Sequence, residues 1–356
     1  MNALGTRIAA LIAAQGPISV AQFMTLALHD AEGGYYATRD PFGRGGDFIT
    51  APEISQMFGE MLGLWCGQAW VDQGCPKNTR LVELGPGRGT LMEDALRALK
   101  RVPGFLDEVE LVLVEASPTL REIQRERLKD SGAKIRWSAH FEVQETPLLL
   151  LANEFFDALP VRQYVKTARG WCERMVIVKD GILDFALAPQ ITPAAAIPAS
   201  RAGAPDGGVY EPAPAATSLT EEISRVIATH GGAALLIDYG YADVGFGETL
   251  QAVQGHRFAP ILSDPGTSDL SAHVDFTALS QAARHGGGQV FGPRRQGDFL
   301  DGLGIGVRAR RLIQSHPAEA ESLAKVVTRL TAPDQMGNLF QAMAVLPPSA
   351  PPPPGF

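Results

Sequence analysis

The feature that most constrains this chain is a glycine-rich turn directly after a short apolar run. Residues 80–84 have the pattern of a buried β-strand, and Gly85, Gly87 and Gly89 follow at every second position before a helical pattern begins. Glycine lets the backbone turn tightly and lets a ligand approach without a Cβ atom in the way. This order predicts a ligand-binding turn, with Pro86 inside it, in an open α/β sheet.

The spacing of the glycines separates three kinds of ligand. A nucleoside triphosphate loop needs Gly-x-x-x-x-Gly-Lys-[Ser/Thr], and no such lysine follows here. A dinucleotide turn has Gly-x-Gly-x-x-Gly spacing, whereas this turn is Gly-x-Gly-x-Gly. Glu83, two residues before the first glycine, would be unfavourable beside a pyrophosphate but suits a ligand with an ammonium and a sulfonium group. We therefore predict S-adenosyl-L-methionine as the cofactor.

A second carboxylate supports this prediction. Glu115 ends the next predicted strand, residues 110–115, where a carboxylate can accept hydrogen bonds from both ribose hydroxyls. The distance along the chain from Gly89 to Glu115 is slightly longer than the about 20 residues typical of dinucleotide folds. The alternative interpretation is a surface glutamate at the end of a strand.

Strand-like and helix-like segments alternate after residue 80, which predicts parallel strands in an open α/β sheet with helices on both faces. Three consecutive strand-like runs with short turns predict a small antiparallel insertion. The predicted parts are a helical and glycine-loop N-terminal part packing on the core (1–75), a cofactor-binding core (76–346), an insertion within it (about 162–217, with an Ala/Pro-rich surface loop from 188) and a disordered proline-rich tail (347–356).

A second cluster of polar and aromatic residues follows the buried run at residues 147–152. It contains Asn153, two carboxylates, Glu154 and Asp157, and two aromatic residues, Phe155 and Phe156. Substrates meet cofactors at the carboxyl ends of strands in open α/β folds, so this segment is a candidate substrate site. The alternative is an ordinary helix start with Asn153 as its N-cap.

Three further residues are weaker candidates for substrate binding. Asp47 and Glu53 lie on either side of the end of an early glycine-rich loop, although a capping box with Thr50 would also explain Glu53. His273 is a candidate, although a lone histidine is more often structural. The sequence has no Gly-x-Ser-x-Gly elbow, His-Glu-x-x-His pair or His/Cys cluster, so we predict neither a hydrolase nor a metal site.

The charge and the cysteines bear on partners and location. With 31 Lys and Arg against 39 Asp and Glu, the net charge of −8 disfavours nucleic-acid binding. Three cysteines without a Cys-x-x-Cys pair fit a reducing compartment. No apolar stretch approaches the about 18 residues of a membrane span, and no cleavage site follows the short apolar run near the N-terminus. We therefore expect a cytoplasmic protein without a membrane span.

Five motifs in order resemble those of the MidA-like methyltransferases, the family of the mitochondrial complex I assembly factor that methylates protein arginine. They are Gly46-Asp-Phe-Ile-Thr-Ala-Pro-Glu53, Glu83-Leu-Gly-Pro-Gly-Arg-Gly-Thr90, Asn153-Glu-Phe-Phe-Asp-Ala-Leu-Pro160, Ile237-Asp-Tyr-Gly240 and Ala272-His-Val-Asp-Phe276. The resemblance covers nearly the whole chain. It implies a class I, Rossmann-like methyltransferase fold with an added helical N-terminal part.

The resemblance also implies the site and its partners. It places the cofactor on the glycine turn and on the ends of the neighbouring strands: Glu83, Gly85, Pro86, Gly87, Arg88, Gly89, Glu115 and Asn153. It implies a protein acceptor that bears an arginine, a complex I subunit in the family's best-studied activity. The lack of a recognisable targeting peptide suggests a bacterial member, which need not share that substrate. The sequence does not indicate an oligomeric state.

The chemistry of arginine suggests roles for the acidic pair. A guanidinium has a pKa above about 12 and is a poor nucleophile while charged. Glu154 and Asp157 are therefore predicted to clamp the guanidinium and accept its proton, while Phe155 or Phe156 offers a ring face to the cation. Two alternatives remain open: an assembly factor that binds S-adenosyl-L-methionine without catalysis, and a dinucleotide-dependent oxidoreductase.

Overall fold

The computed structural model describes residues 1–38, 50–243 and 245–356. Its α-helices are α1 (Ala3–Gln15), α2 (Val20–His29), α3 (Tyr35–Thr38), α4 (Ala51–Ile54), α5 (Gln56–Asp72), α6 (Thr90–Leu99), α7 (Phe105–Glu108), α8 (Pro118–Leu128), α9 (Pro214–His230), α10 (Phe276–His285), α11 (Gln296–Leu303), α12 (Ile305–Ser315), α13 (Ala320–Thr331) and α14 (Met336–Leu339). Short 3₁₀ turns lie at Ala194–Ala196, Ala199–Arg201 and Pro317–Glu319. None of the helices in these ranges is both long enough and apolar enough to span a bilayer.

The β-strands of the same residues are mostly short. They are β1 (Ile18–Ser19), β2 (Thr79–Leu84), β3 (Val109–Val114), β4 (Lys134–Ser138), β5 (Leu148–Asn153), β6 (Tyr164–Thr167), β7 (Gly170–Lys179), β8 (Ile182–Ile191), β9 (Val209–Tyr210), β10 (Gly232–Tyr241), β11 (Gln251–Gln254), β12 (Arg257–Ala259), β13 (Asp269–Ser271), β14 (Val274–Asp275), β15 (Gln289–Arg295) and β16 (Phe340–Leu346).

The described chain forms two compact units. The core unit contains residues 50–156, 217–240 and 276–356, and the accessory unit contains residues 1–38, 157–216, 241–243 and 245–275. This division differs from the predicted one, which assigned residues 50–75 to the N-terminal part.

The core unit is built on one sheet with the order β15–β16–β10–β5–β2–β3–β4. The strands from β4 to β10 pair in parallel, and β16 is antiparallel to both of its neighbours. Strand β2 is buried along its whole length, as expected for a parallel strand covered on both faces. The prediction of a mostly parallel α/β sheet is confirmed.

The strand order has a switch point at the end of β2, where a ligand site is expected. From β2 the chain proceeds to β3 and β4 on one side, and then returns to β5 and β10 on the other. The order of the strands therefore reverses between β2 and β5. Open α/β sheets bind ligands outside the carboxyl ends of their strands at such a switch point.

Close packing of α5 on α6 explains why α5 belongs to the core unit. A Cβ atom at Gly59 would lie 2.8 Å from the carbonyl oxygen of Leu91, and one at Gly63 would lie 2.7 Å from the Cα of Ala95. The glycines thus let two helix backbones approach with no side chain between them. The buried apolar residues of α5 pack in the same hydrophobic cluster as α6 and the sheet.

The accessory unit contains two antiparallel sheets and a hydrophobic cluster of its own. One sheet has the order β1–β7–β6–β9 with β8 also paired to β7, and the other has the order β12–β11–β13. The predicted antiparallel insertion is present as β6, β7 and β8. The predicted loop from residue 188 is only partly irregular, because β8 continues to Ile191 and β9 and the start of α9 also lie within it.

The C-terminal segment differs from the prediction of a disordered tail. Trp65 Nε1 donates a hydrogen bond to the carbonyl oxygen of Pro354 at 3.1 Å. The ring of Phe356 packs on the ring of Phe299 with centroids 5.1 Å apart. Composition predicted disorder because prolines exclude regular structure, but it could not show that the core unit supplies partners for residues 347–356.

Candidate functional site

The glycine turn connects β2 to α6 at the switch point of the sheet. Gly85, Gly87 and Gly89 have φ angles of 60°, 54° and 78°, all in the left-handed region that favours glycine. The N–H of Gly85 donates to the carbonyl oxygen of Val114 at 3.0 Å, and the N–H of Gly89 donates to that of Pro86 at 2.7 Å. The turn predicted from spacing is thus fixed by backbone hydrogen bonds to β3 and within itself.

Glu83 is a buried carboxylate just before this turn. It lies on β2, its side chain is 3% exposed, and its Oε2 atom has no hydrogen-bond partner within the described ranges. Burial, together with the charge of Glu115, raises the pKa of Glu83 to about 8. A buried acceptor without a donor is costly, so this atom fits a ligand that brings a donor or a positive charge.

Glu115 follows β3 directly, as the sequence predicts, and is held from both sides. Its Oε1 atom accepts a hydrogen bond from the backbone N–H of Ser117 at 2.8 Å, and its Oε2 atom accepts one from Gln124 Nε2 at 3.3 Å. Burial raises the pKa of Glu115, and the hydrogen bond from Ser117 opposes the shift. A carboxylate oriented in this way can accept further hydrogen bonds from a pair of hydroxyl groups.

Gln124 is a residue that the sequence analysis missed. Its side chain is fully buried in α8, where Nε2 donates to the carbonyl oxygen of Gly87 at 2.7 Å and Oε1 accepts from Trp137 Nε1 at 2.9 Å. It therefore links the glycine turn to Glu115. A polar residue on the apolar face of a helix is the only sequence signal that could have indicated it.

The segment after β5 is a loop, so the alternative of a helix that starts at Asn153 is not observed. Glu154 has φ at 52°, an uncommon conformation for a residue other than glycine. Its Oε1 atom accepts hydrogen bonds at 3.1 Å from the backbone N–H of Ala51 and from Asn153 Nδ2. Asn153 Oδ1 is buried and has no hydrogen-bond partner among residues 1–38, 50–243 and 245–356.

The two aromatic residues of this loop differ in their surroundings. The Phe155 ring lies against the glycine turn, because a Cβ atom at Gly85 would be 2.8 Å from its Cδ2 atom. Phe156 is 3% exposed and packs edge-on against Phe155, with ring centroids 5.5 Å apart. Phe155 thus contacts the predicted cofactor turn.

Like Gln124, Asp238 has a structural place at the site for which the sequence analysis predicted no role. It lies on β10 beside β5 and is 1% exposed. Its Oδ2 atom accepts hydrogen bonds from the backbone N–H groups of Phe155 and Phe156 at 3.1 and 2.9 Å. The sequence analysis quoted it within a motif, and its place on a buried strand like that of Glu83 was the available signal.

The predicted capping box of Glu53 is wrong. Thr50 is the N-cap of α4, but its side chain makes no capping hydrogen bond. Glu53 instead accepts a hydrogen bond from Thr90 Oγ1 at 2.5 Å. Glu53 therefore reaches the first residue of α6, immediately after Gly89, because a tertiary partner replaces the local one.

Two candidates belong to the accessory unit, and a third is outside the described residues. Asp157 and His273 belong to the accessory unit, where the carbonyl oxygen of Asp157 accepts from the N–H of Ala272 at 2.9 Å and the N–H of His273 donates to Thr249 Oγ1 at 3.0 Å. Asp47 lies outside the described residues. The structure therefore brings Glu53 and Glu154 to the glycine turn and its neighbouring loop, while the roles of the other three stay predictions.

The residues of the core unit fit the predicted cofactor. Glu83 Oε2 and Asn153 Oδ1 are buried acceptors to which no donor of the described residues is bonded, and this suits a ligand with an ammonium group. The positive φ angles of the turn show a backbone shaped for close approach. The held carboxylate of Glu115 fits ribose hydroxyls.

Comparisons with known proteins agree with this assignment. Residues 61–294 match the model of a family described as "Putative S-adenosyl-L-methionine-dependent methyltransferase". The chain is 38% identical to human protein arginine methyltransferase NDUFAF7, mitochondrial, over 94% of this chain and 81% of the human protein. It is 34% identical to the Xenopus tropicalis protein of the same name over 98% of this chain and 86% of that protein.

A crystal structure from Burkholderia thailandensis, described as that of a "likely methyl transferase" bound to S-adenosyl-homocysteine, has the same fold. Its TM-score is 0.88 at 32% sequence identity, and the alignment covers 99% of this chain and 94% of that chain. The native crystal structure from the same organism has a TM-score of 0.85 at 31% identity.

The relatives correct one prediction. The proteins named NDUFAF7 are mitochondrial. The prediction of a bacterial, cytoplasmic protein is therefore wrong. It rested on composition and on the missing targeting signal, neither of which reports where relatives of the chain work.

Proposed function

The chain belongs to the S-adenosyl-L-methionine-dependent methyltransferase family whose model it matches, and we propose that it methylates an arginine side chain of a protein acceptor. It is an enzyme of this class, with S-adenosyl-L-methionine as cofactor. Relatives at 33–38% identity are named protein arginine methyltransferases, which supports arginine as the acceptor group. The resemblance found in the sequence makes complex I subunits the first acceptors to assay.

The observation that carries the arginine proposal is the anchored carboxylate of Glu154. One of its oxygens is held by the N–H of Ala51 and by Asn153, so the carboxylate has a fixed direction. The next residue, Phe155, contacts the glycine turn. A carboxylate fixed next in the chain to a residue that contacts the cofactor turn is suited to bind a guanidinium and to accept a proton from it.

The proposed roles of the residues follow from the chemistry. When bound, the cofactor supplies a methyl group on a positively charged sulfur. Glu115 holds the ribose, and Glu83 and Asn153 accept hydrogen bonds from the amino-acid part. Glu154 orients one guanidinium nitrogen toward the methyl carbon. As the nitrogen–carbon bond forms and the carbon–sulfur bond breaks, the proton leaving the nitrogen passes to Glu154.

Asp157 remains the proposed second carboxylate of the clamp. It follows Glu154 by three residues in the chain, and its contribution is a matter for mutagenesis.

A methyl-transfer assay tests the proposal. The purified chain is incubated with methyl-labelled S-adenosyl-L-methionine and candidate acceptors, and acid hydrolysis identifies the labelled amino acid. We expect methylarginine, and at least a hundredfold slower transfer for Glu154→Gln with unchanged affinity for S-adenosyl-homocysteine. Asp157→Asn is assayed in parallel, and Glu145→Gln, an exposed glutamate of the core unit, is the matched control.

Three results would contradict the proposal. Label on another amino acid would exclude arginine as the acceptor. Full activity of Glu154→Gln would exclude the proposed base. Binding of the cofactor without transfer to any acceptor would favour the non-catalytic alternative.

A further inference from the structure

We propose that Asp238 is a positioning residue for cofactor binding, because its carboxylate holds the Phe155 ring against Gly85. The inference uses only contacts within the core unit. It concerns the cofactor rather than the acceptor, so it stands or falls independently of arginine methylation.

Hydrogen bonds to β10 fix the backbone of the loop after β5. Glu154 donates its N–H to the carbonyl oxygen of Ile237 at 2.9 Å, and the next two N–H groups, of Phe155 and Phe156, both donate to Asp238 Oδ2. Three consecutive N–H groups are thus bound by two adjacent residues of β10. Such a set of bonds stabilises the left-handed conformation of Glu154, which costs free energy in isolation.

The Phe155 side chain connects the backbone of this loop to the glycine turn. Fixing the backbone at Phe155 fixes the direction of its Cα–Cβ bond, and the ring packs so closely on the turn that a Cβ atom at Gly85 would lie 2.8 Å from Phe155 Cδ2. Gly85 starts the turn with φ at 60°, so the ring supports the turn where its backbone departs from β2. Without this support the turn adopts more conformations. Ligand binding then has to order the turn, and the entropy lost in ordering weakens the affinity.

The donors around Asp238 require a carboxylate at this position. Asp238 Oδ1 also accepts a hydrogen bond from the N–H of Tyr239 at 3.0 Å, so both oxygens face donors. An amide of the same shape has one acceptor atom and one donor group. In Asp238→Asn, whichever way the amide is turned, an NH₂ group faces backbone N–H donors.

The test is calorimetric titration with S-adenosyl-homocysteine. We expect Phe155→Ala to bind about tenfold more weakly and Asp238→Asn to bind several-fold more weakly. Because Asp238 acts through Phe155, the double variant should bind no more weakly than the weaker-binding single variant. Glu211→Gln is the matched control, since Glu211 is 6% exposed in the accessory unit and also accepts two backbone N–H groups, from Thr249 and Leu250.

The outcomes are distinct. Wild-type affinity of folded Asp238→Asn, or multiplicative losses in the double variant, would overturn the proposal. An equal loss of affinity in Glu211→Gln would show that the effect is general destabilisation, and this result would also overturn the proposal. If Asp238→Asn does not fold, hydrogen exchange of the wild type decides: slow exchange at the amides of Phe155 and Phe156 supports the proposal, and rapid exchange contradicts it.

Discussion

Glu83 combines a place in the core with a charge that the core disfavours. Its pKa is raised to about 8, first by burial and then by Glu115, whereas an unfolded chain has a glutamate pKa of about 4.3. The folded protein therefore holds this proton more strongly than the unfolded chain. Its contribution to stability falls as the pH rises from about 4.3 to about 8.

Replacing Glu83 separates stability from cofactor binding. We expect Glu83→Gln to unfold at a higher temperature than the wild type at pH 8, because it removes a buried charge. We also expect it to bind S-adenosyl-L-methionine more weakly, because a positive ligand favours the ionised carboxylate. Thermal unfolding and calorimetry between pH 6 and 8 measure both effects.

The pH profile sharpens this prediction. Wild-type affinity should rise toward pH 8 as Glu83 loses its proton, and the variant should lack this rise. Glu122→Gln, an exposed glutamate of α8 with 72% of its side chain accessible, should behave as the wild type. A rise that persists in Glu83→Gln would assign the titration to another group.

At the scale of elements, the contact of α5 with α6 depends on glycine. Gly63 faces the backbone of Ala95 at a distance that leaves no room for a methyl group. This contact places α6, which begins at the end of the glycine turn. The cofactor turn is thus supported by helix packing as well as by its own hydrogen bonds.

We expect Gly63→Ala to lower the free energy of unfolding by about 1–3 kcal/mol, because overpacking outweighs the better helix propensity of alanine. The matched control is Gly306→Ala in α12, where the side-chain atom nearest to a Cβ among the described residues would be Arg310 Nη1, at 3.8 Å. That change should be neutral or stabilising by up to about 1 kcal/mol. Denaturant unfolding compares the two, and equal stability of Gly63→Ala and the wild type would contradict this account.

The sequence predicted those elements whose signals are local. The glycine turn and the strand-like runs at residues 80–84, 110–115 and 147–152 were predicted close to the observed bounds of the turn and of β2, β3 and β5. Tertiary contacts were not predictable. Glu53 bonds to Thr90, and Gln124 bonds to Gly87, each across 37 residues of chain, and no pattern in the sequence reports such pairs.

At the scale of the whole molecule, the candidate cofactor residues all belong to one unit. The glycine turn, Glu83, Glu115 and Asn153 lie in the core unit, whose sheet reverses its strand order beside them. Asp157 and His273, which were predicted from the same sequence, belong to the accessory unit. The division between units could not be predicted, because each unit is assembled from separate stretches of the chain.

The central claim is that the core unit binds S-adenosyl-L-methionine at the end of β2, with Glu115 on the ribose. Calorimetric titration with S-adenosyl-homocysteine tests it most directly in the wild type, Glu115→Ala and the control Glu110→Ala, which changes a residue on β3, the strand that Glu115 follows, with 44% of its side chain exposed. We predict at least tenfold weaker binding for Glu115→Ala and unchanged binding for Glu110→Ala. Equal affinities in all three proteins would contradict the claim.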